Sequence, residues 1–286
     1  MEGQENIRVF VNERPHDLPR GTTAGGVRDI VKAEADLIIV NGFPVEPGTP
    51  LQDGDRAVLI RRGETPRREE MEALMAARHT PGVHARMKSA RVGIAGLGGL
   101  GSVVGPALAR VGVGELILAD FDVVEPSNLN RQQYRVEDLG LAKTEAMAGQ
   151  LRSVNPYMRV ITHRVVLDER NLSEIYNGVD VLVECLDRAE AKAMLIRTAL
   201  ESLPETFIVG ASGVAGYGES NSIQTVRLGD RVFMVGDMIS AAEPGRGLMA
   251  PRVGIAANHQ ANLVMSLLME GAGSGQGVST RNVPRL

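Results

Sequence analysis

The chain has 286 residues, 43% apolar and 23% charged, with a formal net charge of −4, a length and composition that bury a sizeable core as one large domain or a medium domain beside a small one. Disorder throughout and a disulfide-stapled mini-fold are thereby excluded, and a single cysteine, Cys185, excludes an internal disulfide and a zinc site built on several thiolates. Near-neutral charge, no tryptophan and 3% aromatics argue against a nucleic-acid partner or an anionic membrane surface. The opening MEGQENIRVF has no basic start followed by an apolar run, and no stretch approaches the roughly 20 apolar residues of a membrane span, so a cytoplasmic protein is expected.

Residues 1–63 read as a small mixed sheet. Ile7-Arg8-Val9-Phe10-Val11 alternates like a half-buried strand, and Asn12-Glu13-Arg14-Pro15 follows as a turn. Thr22 or Thr23 caps a short helix from Ala24 to Ala35, with Val27, Ile30 and Val31 on its apolar face. Leu37-Ile38-Ile39-Val40 is a strand ending in the tight-turn pair Asn41-Gly42, and Pro44-Val45 continues beyond it. Leu51-Gln52-Asp53-Gly54-Asp55 is a turn before a last strand, Ala57-Val58-Leu59-Ile60.

This stretch resembles the ThiS/MoaD family of ubiquitin-like (β-grasp) sulfur carriers. The likeness rests on Val9-Phe10-Val11-Asn12, Gly21-Thr22-Thr23, Ile39-Val40-Asn41-Gly42 and Leu51-Gln52-Asp53-Gly54-Asp55. Carriers of that family react through a terminal Gly-Gly carboxylate. Here the last strand runs on into Arg61-Arg62-Gly63-Glu64, and Pro284-Arg285-Leu286 has no Gly-Gly either. A docking or structural role is expected for this domain, not that of substrate.

Residues 64–80 read as a linker helix, with Arg67 to Arg78 helix-forming. Residues 81–270 alternate strand-like and helix-like runs, the mark of a Rossmann-like, mostly parallel α/β sheet with helices on both faces. Residues 271–286, rich in glycine and serine, read as a flexible tail. Within the large domain, the buried run Arg91-Val92-Gly93-Ile94-Ala95 enters Gly96-Leu97-Gly98-Gly99-Leu100-Gly101 and then a helix from Ser102 to Val111. Glycines let backbone approach phosphates, and a helix N-terminus offers free N–H groups. Asp120 ends the next strand near the spacing of about 20 residues expected for a ribose ligand. Alone, this pattern fits NAD, FAD or ATP, or a tight turn without ligand. The following residues, Asp120-Phe121-Asp122 and Ser127-Asn128-Leu129-Asn130-Arg131-Gln132, supply more cations and carboxylates than a dehydrogenase needs, and suit a triphosphate with magnesium. Lys143 opens another helix, and Asp187 closes the strand Asp180-Val181-Leu182-Val183-Glu184-Cys185-Leu186.

Taken in order, these motifs resemble the ThiF/MoeB/HesA family, bacterial relatives of the ubiquitin-activating enzymes, over about residues 76–270. Gly210-Ala211-Ser212-Gly213 and Gly247-Leu248-Met249-Ala250-Pro251-Arg252 fit its shorter ThiF-like branch, associated with thiamine biosynthesis. The resemblance implies an adenylyltransferase that uses ATP and Mg2+ to activate the C-terminal glycine carboxylate of a ThiS-like sulfur carrier. It implies that Gly96, Gly98, Gly99 and Gly101 shape the nucleotide loop, Asp120 and more weakly Asp122 bind the ribose side, and Asn128, Asn130, Arg131 and Gln132 serve the phosphates. Lys143 then neutralises the triphosphate and Asp187 coordinates magnesium. It also implies a homodimer in which an upstream arginine reaches the partner's ATP; Arg78 is the candidate, with Arg86 and Arg91 as competitors.

Plainer roles stand beside these. Lys143 also fits a solvated helix-start lysine, Asp187 an N-cap for a helix near Ala189, Asn130 a residue holding its own loop, and the arginines solvated surface charges. No zinc is expected, and no cysteine follows Gly210; Cys185 reads as a buried small hydrophobe. The enzyme would then stop at the adenylate and pass it to a separate sulfur donor. Two other readings remain: activation of a different carboxylate, as in tRNA-modifying dehydratase relatives, and a non-catalytic scaffold.

Overall fold

The computed structural model describes residues 6–77 and 82–270, in two compact units that divide between Gly82 and Val83. Arg78 and the tail 271–286 lie outside the described residues.

In the first unit, β1 (Asn6–Val11) pairs antiparallel with β2 (Arg14–Pro19). Asn12 and Glu13 between them have φ of +46° and +66°, the left-handed pair of a two-residue hairpin turn whose twist matches its strands. Helix α1 (Ala24–Val31) starts where the Thr23 hydroxyl oxygen accepts the Gly26 N–H at 3.1 Å. β3 (Leu37–Val40), β4 (Phe43–Pro44) and β5 (Arg56–Ile60) complete a sheet ordered β2-β1-β5-β3-β4, in which only β1 and β5 run parallel. Ile7, Val9, Val11, Val27, Ile38 and Leu59 form its core.

The helix departs from expectation in two respects. It ends at Val31, where Lys32 takes an extended φ of −156°, and Ile30 is 70% exposed. Over barely two turns, Val27 and Val31 at i, i+4 spacing make the line of contact, and Ile30 lies off it. The expected linker helix is α2 (Arg68–Ala76), whose Glu70 accepts the Asn12 side-chain amide at 2.5 Å and pairs with Lys32 at 3.4 Å. It therefore belongs with the small unit and is no free spacer.

The second unit opens with α3 (Val83–Ser89) and alternates β6 (Arg91–Ala95), α4 (Gly101–Val111), β7 (Glu115–Ala119), α5 (Lys143–Val154) and β8 (Arg159–His163). The chain continues through α6 (Leu172–Ile175), β9 (Val181–Glu184), α7 (Ala189–Ser202), β10 (Phe207–Ala211), β11 (Gln224–Arg227), β12 (Val232–Gly236) and α8 (Ala250–Glu270). The strands order β11-β12-β10-β9-β6-β7-β8, all parallel except the edge strand β11. Period-2 alternation splits the strand residues between two cores. Val92, Ile94, Leu116, Leu118, Val181 and Val183 face a core shared with α4, α5 and α8; Ile117, Ala119 and Leu182 face one shared with α6 and α7. Strand succession runs outward from β6 through β7 to β8, then returns to β9 on the other side of β6. That reversal makes the carboxyl ends of β6 and β9 a topological switch point, where adjoining loops part and leave a crevice. Among the described residues, no helix is long and apolar enough to cross a membrane.

Candidate functional site

The loop after β6 must turn sharply from strand into helix. Gly96 does so at φ +92°, and a Cβ there would sit 2.7 Å from the Cys185 carbonyl oxygen. At Gly101 a Cβ would lie 2.0 Å from the Gly96 carbonyl oxygen, so the helix start approaches the strand end more closely than any side chain permits. At Gly98, by contrast, a Cβ would meet only the Gln132 Nε2, at 3.9 Å, so the turn is uncrowded there. Asp120 fixes the loop: its Oδ2 accepts the Leu97 N–H at 2.7 Å and its Oδ1 accepts the Asp122 N–H at 2.8 Å. The Tyr134 hydroxyl donates to the Leu97 carbonyl at 2.8 Å, and burial with Asp120 nearby pushes its pKa well up.

The expected site residues divide by what already holds them. Asp120 spends both oxygens on main-chain amides, whereas the Asp122 side chain is 47% exposed and accepts the Lys143 Nζ at 2.8 Å. Of the two carboxylates, Asp122 is the accessible one. Lys143 is buried and ion-paired, not a solvated helix-start lysine. Asn128 is buried with its Oδ1 on the Glu125 N–H at 3.1 Å, closing its own turn. Asn130 accepts from the Arg131 guanidinium at 2.9 Å and so serves its loop, and Arg131 also donates to the Ser127 carbonyl at 3.2 Å. Arg131 and Gln132 line a cavity of about 400 Å³ together with Arg110 and Arg135. Gln132 is buried, and its Oε1 has no hydrogen-bond partner. A buried acceptor left so is costly unless a ligand supplies a donor.

Asp187 lies exposed in the loop after β9, at the same carboxyl end of the parallel strands as the glycine turn after β6. It does not cap α7: the N-cap position falls on Arg188 and carries no side-chain bond. The competing arginines are engaged elsewhere. Arg86 donates to the Leu268 carbonyl at 2.7 Å, and Arg91, at the amino end of β6, pairs with Glu115 at 2.7 Å. Cys185 is buried, and burial together with the neighbouring Glu184 pushes its thiol pKa well up, the state of an inert packing residue.

Two charged pairs escaped the sequence reading. Glu184 ends β9 with no exposed surface and takes Lys192 Nζ on both oxygens, at 3.0 and 3.1 Å. Burial pushes its pKa up and Lys192 opposes the rise. Arg252, also buried, donates to Asp237 at 2.7 Å, Ser222 at 3.0 Å and the Glu219 carbonyl at 3.0 Å, joining the loops after β10 and β12 to α8. A carboxylate closing the apolar run Val-Leu-Val-Glu was the one available signal for Glu184; Lys192 looked like any helix lysine.

The sequence model described as the ThiF family matches residues 72–274. The chain belongs to that family. A second model, described as ThiS-like ubiquitin, matches residues 7–63. Among curated relatives, ubiquitin-like modifier-activating enzyme 5 of Aedes aegypti is 35% identical over 157 residues, covering 51% of this chain and 39% of that protein. The Gallus gallus protein of the same name is 34% identical, with 51% and 39% covered. The chain thus spans well under half the length of these relatives. Among solved structures, the E. coli tRNA N6-threonylcarbamoyladenosine dehydratase TcdA in complex with ATP aligns with a TM-score of 0.63 at 23% identity, over 70% of this chain and 94% of that one. This likeness, like that to E. coli MccB (TM-score 0.51, 23% identity, 69% and 60% covered), is one of fold. The ThiF-family unit therefore carries its glycine turn on the sheet architecture of these proteins.

Proposed function

We propose that the protein is an ATP-dependent adenylyltransferase that activates the C-terminal carboxylate of a ubiquitin-like carrier, of the ThiS type that serves thiazole formation in thiamine biosynthesis. The observation that carries the reading is the uncrowded Gly98 in the turn before α4, with buried Gln132, whose Oε1 has no hydrogen-bond partner, as its one near side chain. Such a cradle suits a nucleotide: a sugar hydroxyl or ring amine satisfies the buried amide oxygen, and helix N–H groups and cations receive phosphate oxygens. The names of the relatives, which are modifier-activating enzymes, and the ATP bound in the TcdA neighbour support the same reading.

In the reaction, a carboxylate oxygen of the carrier forms a bond to the α-phosphorus as the bond to the bridging oxygen breaks, and pyrophosphate leaves. No proton need move, so the protein's work is positioning and charge neutralisation. Arg131 and Lys143 offset the charge that builds on the phosphates, Lys143 exchanging its contact with Asp122 for the nucleotide. Asp122, the accessible carboxylate, and Asp120 through the loop it holds place the ribose. Among the described residues there is no cluster of three metal-ligating side chains. Magnesium nonetheless suits the donor set, because it is commonly held by one or two carboxylates plus phosphate oxygens, and Asp187 meets that minimum. When bound it would screen the β- and γ-phosphate charge. The enzyme, a cytoplasmic homodimer, stops at the carrier adenylate and passes it to a separate sulfur donor, whose attack on the acyl carbon releases AMP.

Exchange of labelled pyrophosphate into ATP tests it. Exchange is expected only with a carrier ending in Gly-Gly, and Asp187→Ala should lower it about 10²-fold. Exchange that survives deletion of the carrier tail would point to another carboxylate, as the dehydratase neighbour's name suggests. No exchange with any carrier would leave a scaffold.

A further inference from the structure

Glu184 stands three residues before Asp187 and Lys192 five residues after it, and the hydrogen bonds of the pair go to three different segments. Glu184 Oε1 accepts the Leu186 N–H at 2.6 Å, and Oε2 lies 3.5 Å from the Ala211 N–H. Lys192, in the first turn of α7, donates to both of those oxygens and to the Ala211 carbonyl at 3.1 Å, so all three of its protons are placed. The Glu184 carbonyl in turn accepts Gln260 Nε2 of α8 at 3.1 Å. One ion pair thus joins the end of β9, the amide directly before Asp187, the start of α7 and the end of β10. Gly210 beside it leaves no slack, since a Cβ there would meet Glu184 Oε2 at 3.3 Å.

We infer that Glu184 and Lys192 are positioning residues: they hold the 185–188 segment so that the Asp187 carboxylate is fixed at the crevice before ligand arrives. The inference rests on the reading of Asp187 as ligand to a phosphate-bound divalent cation. A buried ion pair is a poor way to gain stability, because desolvation offsets most of the attraction and a well-packed apolar pair does as well. Its distinctive property is directional. Three ammonium protons and two carboxylate oxygens define one arrangement of the loops around them, which apolar packing does not. Asp187 carries no comparable tether of its own: it is exposed, and its place is set by the Leu186 amide on one side and the start of α7 on the other. Magnesium demands near-ideal ligand geometry, so a loosened loop lowers affinity for the metal-bound nucleotide more than for the nucleotide alone.

The test uses the full chain with Glu184→Gln, Lys192→Met and Lys192→Arg. Amide hydrogen exchange of residues 185–188 is measured without ligand, and ATP affinity is measured by calorimetry with and without Mg2+. Glu184→Gln and Lys192→Met should each speed exchange in that segment about tenfold or more. Each should weaken ATP binding in Mg2+ about tenfold while changing Mg2+-free binding less than about twofold, and Lys192→Arg, which keeps the charge but not the ammonium geometry, should recover at most part of either readout. Unchanged exchange overturns the inference, as does an equal loss of affinity with and without the metal, which marks a merely structural pair. Should Glu184→Gln fail to fold, Lys192→Met decides alone. If Asp187→Ala leaves Mg2+-dependent affinity intact, the functional reading of Asp187 falls; the exchange arm still decides whether the pair tethers the loop.

Discussion

Asp237 shows how much a single carboxylate organises here. Partial burial alone would raise its pKa, but the Ser240 hydroxyl and N–H, the Ile239 N–H and the Arg252 guanidinium outweigh that and hold it below 3.8. A carboxyl depressed in the folded state contributes stability that is present above its unfolded value and lost as pH falls through the folded one. The Asp237→Asn variant should therefore be less stable than wild type by about 3 kcal/mol at neutral pH, since it leaves buried Arg252 facing a neutral amide. The gap in melting temperature should be constant at higher pH and close progressively below pH 3.8. A gap that stays flat through that range in thermal scans would show that the carboxylate's charge is not what Arg252 requires. The same scale explains why Asp120 and Asp122 part company. Two main-chain amides use Asp120 within the loop, while Asp122 keeps half its surface and a lysine that can be exchanged.

At the scale of elements, the β6–turn–α4 unit and α5 contain glycines of opposite meaning. The Gly101 site has no room, with the Gly96 oxygen 2.0 Å from a would-be Cβ, whereas Gly149 is exposed within α5 with nothing inside 4 Å. Gly101→Ala should force helix and strand apart, at a cost of about 2–3 kcal/mol, and weaken ATP binding at least about tenfold. Gly149→Ala should raise stability by about 0.5–1 kcal/mol, because alanine restricts the unfolded chain and favours helix. Chemical denaturation of both variants checks the contrast, and equal effects at the two positions would contradict the close approach at Gly101.

At the scale of the molecule, the described residues hold three separate hydrophobic clusters. One is centred on Val9, Val27 and Leu59 within the first unit, and the others flank the seven-stranded sheet of the second. Residues 83–286 expressed alone should therefore unfold cooperatively and keep their affinity for ATP within about twofold. Loss of cooperative unfolding would mean that the small unit completes the larger core. The small unit keeps its hairpins and its apolar interior, but its last strand runs on into Arg61 and Arg62, and its helix α2 is tied back through Glu70.

Local rules carried much of this protein. The Asn41-Gly42 turn, a threonine cap at position 22 or 23, the period-2 strands and the glycine turn before α4 each follow from backbone sterics or hydrogen bonding among residues a few positions apart, and all were legible in the chain, the structure choosing Thr23. Tertiary structure decided the rest. It brought Lys192 of α7 onto Glu184 and Arg252 of α8 onto Asp237, and it turned Ile30 outward. It also buried Asp120 on two main-chain amides and left Asp122 half exposed. The reason is physical: burial and charge pairing depend on which distant elements meet, and a linear pattern cannot distinguish a solvated lysine from one whose every proton is already placed.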